Sequence, residues 1–414
     1  MKTADTKRIA DMIPLAEIRA AAERIAHIVR VTPMLPCERV CDIAGVPVYL
    51  KLENLQHTGA FKIRGAANCI AQLRDRERAA GVITASAGNH SQGVAAAATA
   101  LGLTADIYMP CNTPFLKIQR TRHFGGIVHL QGDCFDDAYC EACDVQQQSG
   151  RCFVHPYADE RVMAGQGTIG LEILDQLPEA AAAVIPVGGG GLAAGVASAL
   201  RAIKPDMAIF GVQARNAPSM AEAFRSGRVE TVPGRPTIAE GIAVGSAHPL
   251  TYGLLSELLD DIVTVDEGAI ATAMLDLIEN DNLVAEGAGA VALAALPQLI
   301  GRLDGPTVLL ISGGNVDVTT LGAVIDRGLA VEQRSVRLLV VLPDIPGALA
   351  RLAGVIGDAG ANIIEILHNR LTGEVEVGRA EVEIVLLTRG PEHVADILAQ
   401  LRSSGYEARR HAHA

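Results

Sequence analysis

Residues 184–203, VIPVGGGGLAAGVASALRAI, decide the fold class. Val184, Ile185 and Val187 form a short apolar run of the kind that a parallel sheet buries on both faces. Gly188, Gly189, Gly190 and Gly191 then turn the chain. Leu192 opens an Ala-rich helical stretch that runs to residue 203. Strand, glycine turn and helix make half of a βαβ unit, and the same alternation continues on either side.

Upstream, residues 15–31 carry apolar positions at helical spacing, and 46–50 read as a short strand whose Pro47 puts it at a strand start or an edge. A polar stretch, 53–59, follows. Strands are expected at 81–84, 105–109 and 127–130, with helices at 92–101 and 135–148. Downstream, 208–212 and Thr307–Ile311 are strand-like. Short apolar strands alternating with helices predict an α/β protein with largely parallel sheets.

The texture changes near Val331. Residues 332–335 are polar and read as a linker. Beyond them, 336–342 form an apolar strand, and Asp344 and Pro346 open a helix with Leu349, Leu352 and Ile356 on one face. Strands at 363–367 and around Ala380, Val382, Ile384 and Leu386, a helix at 391–401 and a last strand near Tyr406 complete the order βαββαβ, a ferredoxin-like unit. The expected domains are therefore 1–330, with a smaller subdomain at about 55–155, a linker at 331–335, and 336–414.

Composition narrows the function classes. A chain of 414 residues exceeds one ordinary domain. With 3% aromatic residues and no Trp, its core is aliphatic. A formal charge of -12 and few stacking aromatics argue against a broad nucleic-acid surface. No apolar run is long enough for a membrane span, and residues 1–11 lack a signal core, which points to the cytoplasm. Most of the eight cysteines are expected to be reduced, small core residues. Cys134, Cys140, Cys143 and Cys152 lack the paired spacing of a zinc site.

Four segments carry chemistry. In Thr58-Gly59-Ala60-Phe61-Lys62-Ile63-Arg64-Gly65-Ala66, a lysine sits beside an aromatic residue and between glycines. Taken alone it reads as a solvated charge; buried, its pKa falls and its neutral amine suits a Schiff base with an aldehyde cofactor. In Ser86-Ala87-Gly88-Asn89-His90, a helix opens just after a strand. Its amides, with Ser86, Asn89 and His90 as added donors, suit a substrate carboxylate; the alternative is a polar helix cap without a ligand. Gly188, Gly189, Gly190 and Gly191 let amides close on a phosphate. The pattern is not a P-loop, and no acidic ribose ligand supports a dinucleotide; a plain tight turn is the alternative. Ser312-Gly313-Gly314-Asn315 follows a strand, where Ser312 could meet a ring nitrogen or be a turn serine. Glu286, in Glu286-Gly287-Ala288-Gly289-Ala290, is a further acid that a helix start alone would explain.

Together, in this order over residues 15–325, the four segments resemble the fold-type II pyridoxal-phosphate (PLP) enzymes (tryptophan synthase beta-like), and within them the threonine and serine dehydratases. The tail, on Asp344-Ile345-Pro346-Gly347-Ala348-Leu349, resembles an ACT domain, a regulatory module that often binds amino acids. The resemblance implies two parallel-sheet subdomains and PLP on Lys62. Phe61 would neighbour the ring and Asn89 the phenolic oxygen. Gly188, Gly189, Gly190 and Gly191, with Leu192, would hold the phosphate, and Ser312 would face the pyridine nitrogen. Ser86, Ala87, Gly88, Asn89 and His90 would hold the substrate carboxylate, with Lys62, Ser86 and Asn89 as the catalytic group. The cofactor phosphate would protonate the leaving hydroxyl.

The implied reaction turns L-threonine into 2-oxobutanoate and ammonia, and L-serine into pyruvate. A 3-hydroxyaspartate dehydratase, a non-enzymatic amino-acid sensor and a dinucleotide oxidoreductase are the alternatives. Ala87 stands where related serine racemases carry a second serine, which argues against racemisation. Gln213 and Ser219 stand where some relatives hold a cation through acids, so a metal is left open. A single ACT-like unit departs from the tandem units usual in isoleucine-biosynthetic relatives. A homodimer or homotetramer, with an amino-acid effector on the tail, is the implied assembly.

Overall fold

The computed structural model describes residues 12–369 and 376–411. The charged residues 1–11, in which the sequence shows no signal core, lie outside them. The chain divides into two compact units, Met1–Asp317 and Val318–Ala414. The helix Val318–Val331 groups with the second, ahead of the polar stretch 332–335.

The first unit is built on two sheets. The larger runs in the order Met34–Pro36, Val48–Leu52, Thr307–Ile311, Ala182–Pro186, Ala208–Ala214, Asp261–Val265. All neighbours are parallel except the first pair, in which Met34–Pro36 runs against Val48–Leu52. The smaller sheet orders Ile127–Leu130, Ala105–Met109, Val82–Ala85, Cys152–Phe153, all parallel. Four of these strands, Val82–Ala85, Ala105–Met109, Ala182–Pro186 and Thr307–Ile311, are buried at every position. Helices cover both faces of such strands, so a continuous apolar run serves where alternation would not.

Two aliphatic cores follow the two sheets. Ile18, Met163, Ile185, Val196 and Leu200 belong to the larger, and Ile63, Ile70, Val94, Ile107 and Val162 to the smaller. The helices Glu160–Gln176 and Gly191–Ile203 pack closely beside the large sheet. A Cβ at Gly195 would lie 2.1 Å from the Met163 carbonyl oxygen, so this approach requires glycine.

The second unit carries an antiparallel sheet in the order Asn362–Asn369, Arg379–Leu387, Ser335–Pro343, Glu407–Arg410. The helices Ala348–Asp358 and Pro391–Ser403 complete the expected βαββαβ order. Leu352, Ile356, Val382, Ile384 and Ile397 fill its core.

Three local expectations are corrected. Asp344 and Pro346 do not begin the tail's first helix: it starts at Ala348, capped by Gly347 at φ 79°, which places the proline in the preceding turn. The strand expected at 46–50 lies at Val48–Leu52, second from the edge. The cysteines are all free thiols, but only Cys37 and Cys69 are buried; Cys111, Cys134 and Cys140 are exposed. Cys134 caps the helix Phe135–Ser149, and Cys140 lies on its outer face.

Candidate active site

Chain ends of parallel strands converge where loops leave the sheet. Here the loops after Thr307–Ile311, Ala182–Pro186, Val82–Ala85 and Cys152–Phe153 do so around one lysine. Lys62 is the first residue of the helix Lys62–Ala71, and Phe61 is its cap. The segment before it is tied to the loop after Thr307–Ile311. Phe61 N–H donates to the Ser312 carbonyl (3.2 Å), and Gly314 N–H donates to the Gly59 carbonyl (2.8 Å). Residues 251 and 255 positions apart thus form one wall.

The Lys62 ammonium donates to the Pro156 carbonyl at 2.9 Å, and Nζ lies 5.2 Å from the centre of the Phe61 ring. Among the described residues no carboxylate is in ion-pair contact with it. Burial pushes the Lys62 pKa down to about 8, against the weaker opposing pull of Glu286. The amine is therefore partly neutral near pH 7, as a nucleophile or base requires.

The glycine turn lies beside the same loop. A Cβ at Gly189 would lie 2.4 Å from the Tyr157 ring, and one at Gly191 would lie 2.6 Å from the Tyr157 carbonyl oxygen. Gly190 sits at φ 92° and caps the helix Gly191–Ile203. Side chains are thus barred from this turn, and the first N–H groups of the helix have no partner within it. The Leu192 side chain faces the core, leaving only its N–H to the turn.

Across the cleft, the helix Asn89–Ala100 begins after the strand Val82–Ala85. The Ser86 hydroxyl accepts from Gly88 N–H (3.2 Å), and a Cβ added at Gly88 would meet open space. His90 is different: its ring is buried, with Nε2 2.9 Å from the Val154 carbonyl. Burial pushes its pKa down to about 3, so the ring stays neutral. Only its backbone N–H is left to an anion at this helix start. Asn89 Nδ2 donates to Glu286 Oε1 (2.6 Å), and Asn89 Oδ1 accepts from Asn315 Nδ2 (2.8 Å). Burial pushes the Glu286 carboxyl up to about 7, although the Asn89 amide works the other way. The Ser312 hydroxyl is buried and donates to the Ala288 carbonyl (3.3 Å).

Sequence reading missed Pro156 and Tyr157, and gave Asn315 no role of its own. The first two follow Cys152–Phe153, a two-residue strand too short to register as a pattern. A usable signal was the run His155-Pro156-Tyr157 in a chain so poor in aromatics. His155 anchors that loop, its Nδ1 accepting from the N–H groups of Tyr157 (3.2 Å) and Ala158 (2.7 Å).

Gln213 and Ser219 are already engaged: Gln213 Oε1 accepts from Ala221 N–H (2.8 Å), and Ser219 donates to the Val244 carbonyl (2.6 Å). Among the described residues no group of three or more His, Cys, Asp or Glu could hold a metal ion.

Comparison with known proteins gives the same division. A family described as pyridoxal-phosphate dependent enzyme matches residues 25–314, and the ACT domain family matches 336–404. The chain is 44% identical to an L-threonine ammonia-lyase of Thermotoga maritima over 398 residues, 96% of this chain and 99% of that one. It is 46% identical to an L-threonine ammonia-lyase of Geobacter sulfurreducens over 396 residues, 95% and 98% of the two chains. A processed threonine deaminase isoform 2 from Solanum lycopersicum has a similar structure, with TM-score 0.74 and 36% identity, covering 78% of this chain and 89% of that one.

Proposed function

The chain belongs to the pyridoxal-phosphate-dependent enzymes of fold type II with a C-terminal ACT domain, and on that footing we propose that it dehydrates and deaminates L-threonine to 2-oxobutanoate and ammonia, and L-serine to pyruvate. The observation that carries this reading is Lys62: a desolvated amine with no carboxylate partner, beside a turn closed to side chains.

The residues present fit the cofactor. A Cβ would fill the cradle at Gly189 and Gly191, so the N–H groups there face a ligand without side chains between. Gly188, Gly189, Gly190, Gly191 and Leu192 would hold the phosphate. When bound, pyridoxal phosphate supplies an aldehyde that forms an imine with an amine and a conjugated ring that accepts electron density from Cα.

The chain's own residues do the rest. Lys62 Nζ, held on the Pro156 carbonyl, is the amine that anchors the cofactor and the base that takes the Cα proton. The helix start at Ser86, Ala87, Gly88, Asn89 and His90 holds the substrate carboxylate through backbone N–H groups. Asn89 would offer an N–H to the phenolic oxygen. Ser312, a hydroxyl rather than an acid, would face the ring nitrogen and leave it unprotonated. Ala87 carries no acid or base for the opposite face of Cα, which directs the site to elimination.

The ACT unit takes an amino-acid effector in a groove of about 810 Å³ lined by Pro343, Pro346, Gly347, Leu349, Ile366 and His368. Exposed Ile364 and Leu367 on the edge strand Asn362–Asn369 suit pairing between copies, hence a dimer or tetramer. Three exposed free thiols accord with a cytoplasmic setting. Among the described residues no helix is long and apolar enough to cross a membrane.

The test is ammonia release from L-threonine, L-serine and 3-hydroxyaspartate by the PLP-loaded protein, with Lys62→Ala as control. Threonine turnover that is lost in Lys62→Ala is the expected result. Release from 3-hydroxyaspartate alone, or release that persists in the variant, contradicts the proposal.

A further inference from the structure

Asn89 presents a problem of polarity. A side-chain amide has a donating and an accepting end of nearly equal shape, and only its neighbours decide which way it faces. Glu286 is a poor arbiter, because a carboxyl that titrates near neutrality accepts in one form and can donate in the other.

Asn315 has no such ambiguity. Its Nδ2 lies 2.7 Å from the Thr58 carbonyl oxygen, which can only accept. Its Oδ1 lies 3.4 Å from Arg120 Nη1, which can only donate. Two partners of fixed polarity therefore orient the Asn315 amide. The second Nδ2 hydrogen points to Asn89 Oδ1 at 2.8 Å, with the Gln92 side-chain oxygen Oε1 a more distant neighbour at 3.5 Å. Asn89 must then turn its NH2 group the other way. One of its N–H groups meets Glu286 at 2.6 Å, and the other is left over. Gly59 makes room for this arrangement: it sits at φ 72°, and a Cβ there would lie 2.5 Å from Asn315 Oδ1.

We infer that Asn315 is a positioning residue that locks the Asn89 amide with its N–H groups toward the cofactor's phenolic edge, whatever the protonation state of Glu286. This rests on the reading above that Asn89 meets the phenolic oxygen of PLP. An N–H at that oxygen stabilises its anionic form, and so lowers the pH at which the imine proton of the bound cofactor is lost.

The experiment is a pH titration of the visible absorption of holoenzyme, for wild type, Asn315→Asp and Asn315→Ala, with PLP content and melting temperature measured alongside. Asn315→Asp keeps the shape but removes both donated hydrogen bonds; Asn315→Ala removes them without adding charge. The expected result is a colour-change midpoint raised by roughly one pH unit in both variants, with PLP content unchanged. A midpoint unchanged in both folded, PLP-loaded variants overturns the inference. If neither variant folds, neutron diffraction of the wild type decides: Asn315 Nδ2 on Thr58 and Asn89 supports it, and the flipped amide overturns it. A wild type that never turns yellow with PLP defeats the proposed function instead, so the two failures are distinguishable.

Discussion

Two basic centres, Lys62 half-buried and Arg64 buried, stand two residues apart on one helix, and they have opposite fates. Arg64 is fully buried and meets Glu53 (2.8 Å) and Glu172 (2.6 Å), while the neighbouring Lys51 meets Glu172 (2.5 Å). Burial alone would lower the Arg64 pKa, but the two carboxylates outweigh it and hold the guanidinium more firmly protonated than usual. The Glu53 carboxyl, which burial would raise, is instead held below its ordinary range by Arg64 and Thr32. Lys62 is desolvated as well, but its partner is the Pro156 carbonyl, and its pKa falls to about 8. Desolvation leaves a permanent charge where carboxylates compensate it and a lowered pKa where a carbonyl is the partner. The cluster at Arg64 anchors the helix to Glu53, after Val48–Leu52, and to Glu172 on Glu160–Gln176. That is how the start of the helix is held in place while Lys62 stays outside the ion-pair cluster among the described residues.

The sharpest way to break this contrast is to exchange the outcomes by mutation. Lys62→Ala should cut threonine turnover by at least about 10³-fold while leaving the melting temperature near that of wild type. A stability loss of the size expected for Arg64 would show that Lys62 is structural. Arg64→Met should do the reverse. It strands the buried Glu53 carboxylate and leaves Glu172 with Lys51 alone, and should cost about 3–5 kcal/mol in urea unfolding. Unchanged stability would mean that the cluster is not what holds the helix.

The pKa contrast has its own measure. Uptake of PLP by the cofactor-free protein needs the neutral amine. Because the folded pKa of Lys62 lies below its ordinary 10.5, the uptake rate should climb with pH, about fiftyfold between about pH 6 and pH 8, and level off above about 8. A rise that continues past pH 10 would give Lys62 the pKa of a solvated lysine. The smallest effect concerns the cradle. Gly189→Ala forces a methyl against the Tyr157 ring and should weaken PLP binding about tenfold with the fold intact, read by equilibrium titration. Wild-type affinity would mean that the turn does not bear on the cofactor.

Much of this was legible in the residues. The mostly apolar runs at 105–109, 127–130 and 307–311 matched the strands residue for residue; the first and last are buried at every position, while 127–130 is a partly exposed edge strand. The glycine turn, the Lys62 junction and the Asn89 helix start are contiguous in sequence and were found as segments. What escaped depends on contacts between distant residues. Nothing local marks Pro156 as the partner of Lys62, or Asn315 as the partner of Asn89, 226 positions away. The His90 ring read as a donor because its spacing could not reveal the Val154 carbonyl that buries it. Met34–Pro36 is too short to show a period, so the antiparallel edge of the large sheet went unread.

The central claim, that this one amine carries the cofactor, is open to a direct test. PLP-loaded protein is treated with borohydride, digested and mapped by mass spectrometry. The account predicts one reduced pyridoxyl adduct, on Lys62. An adduct on Lys51, Lys117 or any other lysine, or none at all, would contradict it.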